Sequence, residues 1–234
     1  MKQHSSCTKN FLLFALVSLC FLSTDTPSFG SARSTIELLE QSRLSIVSVA
    51  ARTFQEKELR VFSQEKLGAG VLLDKQGFVA TSTHIIHGAQ NIIVTLPDAT
   101  QHAAQIAFIS TDSDFSILKI PPPSHVYPVE IATKTPSLGE SIFSIGHSDI
   151  LKGTISEGTI SGLGSKSTPA GAQIELIRIN IDHYSGDSGS SVFNRQAQLI
   201  GLISSKRLST GKEVFVIPAE KILNALSGIT QLAQ

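Results

Sequence analysis

From residue 44 onward the chain is a succession of short β-branched apolar runs separated by turn-forming residues. The runs Gly68–Leu73 (GAGVLL) and Phe78–Thr83 (FVATST), for example, flank Asp74–Gly77, a loop with a glycine available for positive φ. Apolar runs of about four to eight residues bounded by turns are typical of strands rather than helices. Further strand candidates are Leu44–Ala50, Asn91–Leu96, Ala104–Ile109, Phe115–Ile120, Val129–Ile131, Ser141–Ile145, Thr154–Ser161, Gln173–Asn180, Ser191–Asn194, Leu199–Ser204 and Glu213–Val216. Many short strands with little helix between them predict antiparallel sheets or barrels.

Two segments have helical patterns, one on each side of this strand-rich region. Ser34 can cap a short helix over Ser34–Gln41, whose apolar residues share one side. The segment Pro218–Leu226 has proline near its start and apolar residues at helical spacing, and Gly228 lies just past its end. We therefore expect an all-β chain with a short N-terminal helix and a C-terminal helix.

The run Pro121–Pro123 divides the strand-rich region. Three consecutive prolines cannot join a central sheet ladder, and they favour a stiff extended connector. We expect two β-rich halves, one over residues 31–120 and the other over residues 121–234.

The first thirty residues have the composition of a targeting segment. A basic start precedes the apolar run Phe11–Leu22, and small residues follow around Gly30 and Ala32. That run is shorter than the ~20 apolar residues that cross a bilayer as a helix. We interpret residues 1–30 as a signal peptide rather than a retained anchor. The expected location is the bacterial periplasm or the medium, with no stable membrane insertion after cleavage.

Charge and cysteine content narrow the class of protein further. The formal net charge of the 234 residues is zero, which argues against a nucleic-acid partner. Both cysteines, Cys7 and Cys20, lie within the predicted signal peptide. The mature chain would then have no disulfide and no cysteine-based metal site or nucleophile.

The strongest local motif is Gly186–Ser190, with the sequence GDSGS. A serine hydroxyl is a weak nucleophile at neutral pH and needs a base and a site for the oxyanion. Glycines on either side of Ser188 let the backbone turn sharply, so that the N–H groups of Gly186 and Ser188 can face one small pocket. A polar turn between strands is the alternative interpretation of the same motif.

A histidine lies where a base would be needed. His84 follows a strand candidate directly and precedes two isoleucines, which places an imidazole at a strand-to-turn junction. His84 and His87 could also suggest a zinc pair, but metallopeptidase motifs have a glutamate within or beside such a pair. None is present, so no metal is expected.

Two aspartates precede the strand candidate Phe115–Ile120. An aspartate entering a buried strand is costly unless a partner accepts its charge, and a histidine N–H is such a partner. Asp114 adjoins the strand and is the better candidate, with Asp112 as the fallback. Both could also cap a surface turn.

The order of the candidate residues discriminates between architectures. His84, Asp114 and Ser188 follow one another in the order found in chymotrypsin-like enzymes. An α/β-hydrolase needs a histidine after the serine, and none follows Ser188. A subtilisin-like order would need an aspartate before the histidine, and Asp74 lies in an apparent hairpin turn.

Three stretches of the chain resemble the trypsin-like protease domain of the HtrA/Deg family. They read GAGVLLDKQGFVATSTHII, TDSDFSILKI and GDSGSSVFNRQAQLIGLISS, within a correspondence over residues 44–226. The resemblance implies two six-stranded antiparallel β-barrels of the chymotrypsin-like type, with the active site between them. It implies a serine endopeptidase acting on proteins or peptides without metal or organic cofactor.

The resemblance also implies individual roles. His84, Asp114 and Ser188 would be the catalytic triad, Gly186 and Ser188 the oxyanion hole, and Ser204 a residue bordering the primary specificity pocket.

The sequence departs from the family pattern in three places. The chain ends shortly after its last helical segment, so we expect no PDZ domain. The serine loop reads GDSGSS, which also resembles the glutamyl endopeptidases. The segment Asn180–Ser185 is unlike the family's usual apolar approach to the serine. Asp182 lies six residues before Ser188, at the base of the specificity pocket in trypsin-like enzymes, where a carboxylate would favour basic side chains. His183 could instead favour acidic side chains, and both residues could simply face solvent. A peptide-binding module without catalysis and an envelope chaperone remain alternatives.

Overall fold

The predicted strands assemble into two antiparallel sheets in the computed structural model of the chain. The predicted all-β fold of the chymotrypsin-like type, with a helix near each end, is confirmed. Residues 1–30, predicted to be a signal peptide, lie outside the described residues. The residues that the structure describes are 34–57, 60–125, 127–147, 152–167, 173–181, 188–204 and 214–232.

The first sheet has seven strands, and all of them precede the triple proline. Its order is β5-β4-β1-β2-β3-β7-β6, and the pairings are antiparallel. The strands are β1 (Ile46–Lys57), β2 (Arg60–Leu72), β3 (Phe78–Thr81), β4 (Asn91–Thr95), β5 (Gln101–Ala103), β6 (Gln105–Ile109) and β7 (Ser116–Lys119).

The two edge strands of this sheet, β5 and β6, are separated in the chain by Ala104 alone. β5 pairs with β4, whereas β6 pairs with β7 on the far side of the sheet. Neighbouring strands lie about 4.8 Å apart, so one residue cannot cross a flat sheet of this width. The sheet must therefore curl until its edges meet near Ala104. The resemblance implied six strands here and the structure has seven: the predicted strand Ala104–Ile109 corresponds to β6, and β5 is an additional edge strand.

The second sheet is a closed barrel of six strands, in the order β10-β13-β12-β11-β8-β9. The predicted strand Val129–Ile131 adds only an isolated parallel bridge between Ile131 and Leu199. The barrel strands are β8 (Ser141–His147), β9 (Lys152–Ser167), β10 (Gln173–Ile181), β11 (Ser191–Phe193), β12 (Leu199–Ser204) and β13 (Val214–Pro218). The two sheets fall on opposite sides of the triple proline, while the domain boundary between residues 120 and 121 stays a prediction.

Both predicted terminal helices are present. Helix α1 (Thr35–Ser42) begins with a capping box, in which Ser34 and Glu37 each accept a hydrogen bond from the other's backbone N–H. A short helix, α2 (Thr83–Ile86), follows β3. The last helix, α3 (Ala219–Leu232), runs beyond its predicted end, and a Cβ added at its Gly228 would meet nothing within 4 Å. Its continuation is explained by Ile229, which packs against the core and outweighs a glycine penalty of about 1 kcal/mol.

One apolar layer lies between the two sheets and holds them together. It combines residues of the first sheet, the barrel and both terminal helices, and Phe193 at its centre has no exposed surface. Two further clusters fill the interior of the curled first sheet and of the barrel. The shared layer includes Leu39, Val71, Phe78, Ala80, Phe115, Ile117, Ile145, Leu199, Leu202, Ile217, Ile222 and Leu226. This shared layer holds the two sheets rigidly together and so positions the candidate site.

A left-handed backbone in the turn between β4 and β5 leads to a stability prediction. Ala99 is exposed and has a φ of 68°, a conformation that disfavours residues with a Cβ by about 1–2 kcal/mol. We expect Ala99→Gly to raise the free energy of unfolding by roughly 1 kcal/mol in urea denaturation. The matched control is Ala103→Gly, at an exposed and paired position of β5, which should lower it by about 0.5–1 kcal/mol. Equal effects of the two substitutions would contradict this account of the turn.

Candidate functional site

His84 is placed by the short helix α2, which begins immediately after β3 and Ser82. Ile85 and Ile86, the next two residues, are almost wholly buried and anchor the helix in the interior of the first sheet. The imidazole itself stays 35% exposed, so it can meet both protein groups and a ligand. The strand-to-turn junction predicted for this histidine is therefore the end of a buried strand followed by one helical turn.

Asp114 lies directly before Phe115 and β7, and its side chain is only 5% exposed. Its Oδ2 lies 2.7 Å from Nδ1 of His84, and its Oδ1 accepts a hydrogen bond of 3.0 Å from the backbone N–H of His84. The hydroxyl of Ser204 donates to the same Oδ2 at 3.2 Å. Asp112 is exposed, so the structure selects Asp114 over the fallback.

The contact with Asp114 determines which nitrogen of the imidazole carries the proton, as well as where the ring lies. A carboxylate only accepts hydrogen bonds, so the ring nitrogen that faces it carries the proton. In the neutral ring, Nε2 of His84 then carries the lone pair. This is the tautomer that a general base requires.

Ser188 is held against β2 by backbone contacts. Its carbonyl oxygen accepts a hydrogen bond of 2.9 Å from the N–H of Ala69, and the N–H of Gly189 donates to the carbonyl of Ile203 at 3.3 Å. Gly189 has a φ of 79°, and a Cβ there would clash with the carbonyl oxygen of Ala69. The glycine after the serine is thus required by both backbone angle and space.

Gly68 shows how close the histidine and serine segments lie. A Cβ at this position would overlap the side chain of Ile85 and lie 3.0 Å from the carbonyl oxygen of Ser188. Ile85 follows His84 in α2, so the two segments approach the same point on β2 from different sides. The structure therefore brings the elements that carry His84, Asp114 and Ser188 to one place between the sheets.

Several of the predicted site residues lie outside the described residues. These are Gly186, predicted for the oxyanion hole, and Asp182 and His183, predicted for the specificity pocket. Ser204 is described, and its hydroxyl contacts Asp114, so it joins the same hydrogen-bonded cluster. Its predicted position beside the specificity pocket stays a prediction.

Sequence reasoning missed other polar residues around the histidine. The hydroxyl of Ser82 donates to the carbonyl of Ile203 at 3.3 Å, which links the first sheet to the barrel. Thr83 and Ser116 share a hydroxyl–hydroxyl contact of 2.8 Å. Ser82 and Ser116 are fully buried, and a serine within an apolar strand such as β7 was the available signal.

Two negative findings concern only the described part of the chain. No cluster of three or more histidine, cysteine, aspartate or glutamate residues there could bind a metal ion, and His87 is exposed. In the same residues, no helix combines the length and apolar character needed to cross a bilayer.

Comparison with known proteins identifies the family of the chain. Residues 68–202 match the family described as trypsin-like peptidase domain. Serine endoprotease DegS of Escherichia coli is 30% identical over 199 residues, which cover 82% of this chain and 56% of DegS. The putative serine protease HhoA of Synechocystis is 28% identical over 179 residues, which cover 73% of this chain and 45% of HhoA. The chain spans about half the length of these curated relatives.

Solved structures share the fold. The HtrA-type protease AlgW, determined with a decapeptide, superposes with a TM-score of 0.76 at 19% identity, covering 86% of this chain and 68% of AlgW. A serine endoprotease from Yersinia pestis gives a TM-score of 0.67 at 20% identity, with the same coverage. The resemblance to HtrA/Deg protease domains that the sequence indicated is confirmed.

The close approach of Gly189 to β2 generates a second prediction. Gly189→Ala should lower the free energy of unfolding by at least about 2 kcal/mol, because it adds both backbone strain and a clash with a backbone oxygen. The matched control is Gly164→Ala in β9, where a Cβ meets nothing within 4 Å, and little or no loss is expected. Urea denaturation measures both variants. A Gly189→Ala protein as stable as the control would show that this turn differs from the one described.

Proposed function

The chain belongs to the trypsin-like peptidase family, and on this premise we propose that it is an exported serine endopeptidase. The proposal assigns His84, Asp114 and Ser188 as its catalytic triad. The observation that supports it most is the 2.7 Å contact between Nδ1 of His84 and the buried Oδ2 of Asp114. Acyl transfer needs a serine nucleophile and a histidine that is oriented to act as its base. Here the segment with Ser188 is bonded to β2, and the helix that carries His84 packs against the same strand.

The proposed reaction proceeds in two steps. Oγ of Ser188 attacks the carbonyl carbon of a peptide bond while Nε2 of His84 takes the hydroxyl proton. The resulting imidazolium gives that proton to the leaving amine, and the C–N bond breaks to leave an ester on Ser188. A water molecule then attacks the ester, passes a proton to His84, and releases the acid as Ser188 regains its proton. Asp114 holds the ring and stabilises the imidazolium throughout.

The oxyanion formed in each step needs donors that are already in place. We assign this role to the backbone N–H groups of Gly186 and Ser188. Removing one such donor typically costs roughly 3–4 kcal/mol of transition-state stabilisation. Asp182, His183 and Ser204 remain the candidates for contacts with the substrate side chain at the cleaved bond.

Export is proposed from the sequence of residues 1–30, which we interpret as a signal peptide. A relative in Haemophilus influenzae, 27% identical over 174 residues, is named a probable periplasmic serine protease. We propose the same compartment, or secretion, for this chain, with β-rich halves at residues 31–120 and 121–234. Its partners would be protein or peptide substrates.

Covalent labelling tests the proposed nucleophile. A fluorophosphonate probe should label the wild-type chain, and Ser188→Ala should abolish labelling because the attacking oxygen is removed. Ser124→Ala, an exposed serine on the connector, should label as the wild type does. A folded wild-type protein that never labels would favour the alternative of a peptide-binding module. In that case, suppression of aggregation that persists in Ser188→Ala would indicate an envelope chaperone.

The role of the buried carboxylate gives a separate kinetic prediction. Asp114→Asn should lower kcat on an unfolded protein such as casein by about 10⁴-fold, because an amide can hold the imidazole in the wrong tautomer. Asp112→Asn removes the same charge two residues away from an exposed position, and its kcat should stay within twofold of wild type. Similar losses in both variants would mean that general charge, not the contact with His84, sets the rate.

A further inference from the structure

The side chain of Lys66 extends from β2 to the helix that carries the histidine. Its Nζ donates a hydrogen bond of 3.0 Å to the backbone carbonyl of His84. Lys66 lies opposite Ala51 in β1 and on the same face of β2 as Gly68, where an added Cβ would overlap Ile85 and lie 3.0 Å from the carbonyl oxygen of Ser188. The lysine therefore lies beside the candidate site, on the strand against which the serine segment is clamped.

With this contact, both the backbone N–H and the backbone carbonyl of His84 are hydrogen-bonded to side chains. The N–H of His84 donates to Oδ1 of Asp114 at 3.0 Å, and its carbonyl accepts from Lys66. Helix α2 has four residues, so it has few internal hydrogen bonds to define its orientation. The two polar anchors and the buried Ile85 and Ile86 together determine where the imidazole lies.

We propose that Lys66 is a positioning residue, which anchors the carbonyl of His84 and so holds the imidazole in register with Ser188. This inference rests on the proposed function. Without the anchor, rotation of the peptide after His84 would swing the ring while leaving Asp114 in place. A displacement of about 1 Å at a reacting group can reduce a rate by about 10²-fold.

The chemistry of the side chain suits this role. A lysine has a flexible four-carbon stem and a compact ammonium with three donors, so it can cross from a strand to a neighbouring helix. The adjacent Glu65 lies on the opposite face of β2, where it pairs with Arg52 of β1. A half-buried ammonium that is engaged with a backbone oxygen is suited to hold a segment rather than to attract a distant ligand.

Saturation kinetics with the fluorophosphonate probe test the proposal in the full chain. Lys66→Met keeps an unbranched apolar stem and removes the ammonium donor, so the maximal labelling rate should fall at least 10-fold with the half-saturating concentration within twofold. Lys66→Arg restores a donor and should recover the rate to within threefold of wild type. The matched control, Lys75→Met, removes the same charge from the exposed turn between β2 and β3 and should change neither value.

A second measurement separates the anchor from the activity. In the Ser188→Ala background, hydrogen exchange of the segment 83–86 should be faster in Lys66→Met than in the parent and should return to the parent rate in Lys66→Arg. If the wild-type chain does not label but this exchange pattern is found, the proposed function fails and the anchoring of His84 stands.

Three results would overturn the positioning role. The first is an unchanged labelling rate in Lys66→Met. The second is a change confined to the half-saturating concentration, which would place the ammonium in contact with the ligand. The third is a lower rate that Lys66→Arg does not rescue and that accompanies an equal fall in thermal stability in both variants, which would indicate a general structural role.

Discussion

The arrangement of the candidate site depends on one buried carboxylate. Asp114 has a 5% exposed side chain and accepts hydrogen bonds from the N–H and ring of His84 and from the hydroxyl of Ser204. An isolated carboxylate at such a position would be strongly unfavourable, and these donors replace the water that it loses. Because the donors come from α2 of the first sheet and β12 of the barrel, satisfying Asp114 also joins the two sheets at the site.

The apolar layer between the sheets makes that junction rigid. Phe193 and its neighbours from both sheets are fully buried, so neither sheet can shift against the other without opening cavities. Hydrogen bonds near the candidate site add to this packing. The carbonyl of Ile203 accepts from the hydroxyl of Ser82 and from the N–H of Gly189. The segments that carry the histidine and the serine therefore both donate a hydrogen bond to the same carbonyl on β12. The geometry of the candidate site therefore comes from the packed sheets rather than from flexible side chains alone.

Much of the fold followed from sequence periodicity, and the exceptions have identifiable causes. The short apolar runs predicted most strands, and Ser34 predicted the start of α1. The sequence did not predict the extension of β1 and β2 into a long hairpin, since the segment 52–66 is polar and its strands are held by backbone pairing. It also did not predict β5, because this strand has three residues, two of them polar, and is defined by its pairing with β4.

The sequence by itself determined the residue types, their order along the chain, and the local turn around Gly189, whose positive φ only glycine adopts easily. Local propensity and periodicity carry that information. Only the tertiary structure decided that Asp114 rather than Asp112 meets the histidine, that Ser204 contacts the same carboxylate, and that Lys66 reaches the carbonyl of His84. Those contacts join residues 30, 90 and 18 positions apart. Their partners are set by strand register and by the packing of two sheets, which no local pattern in the chain encodes.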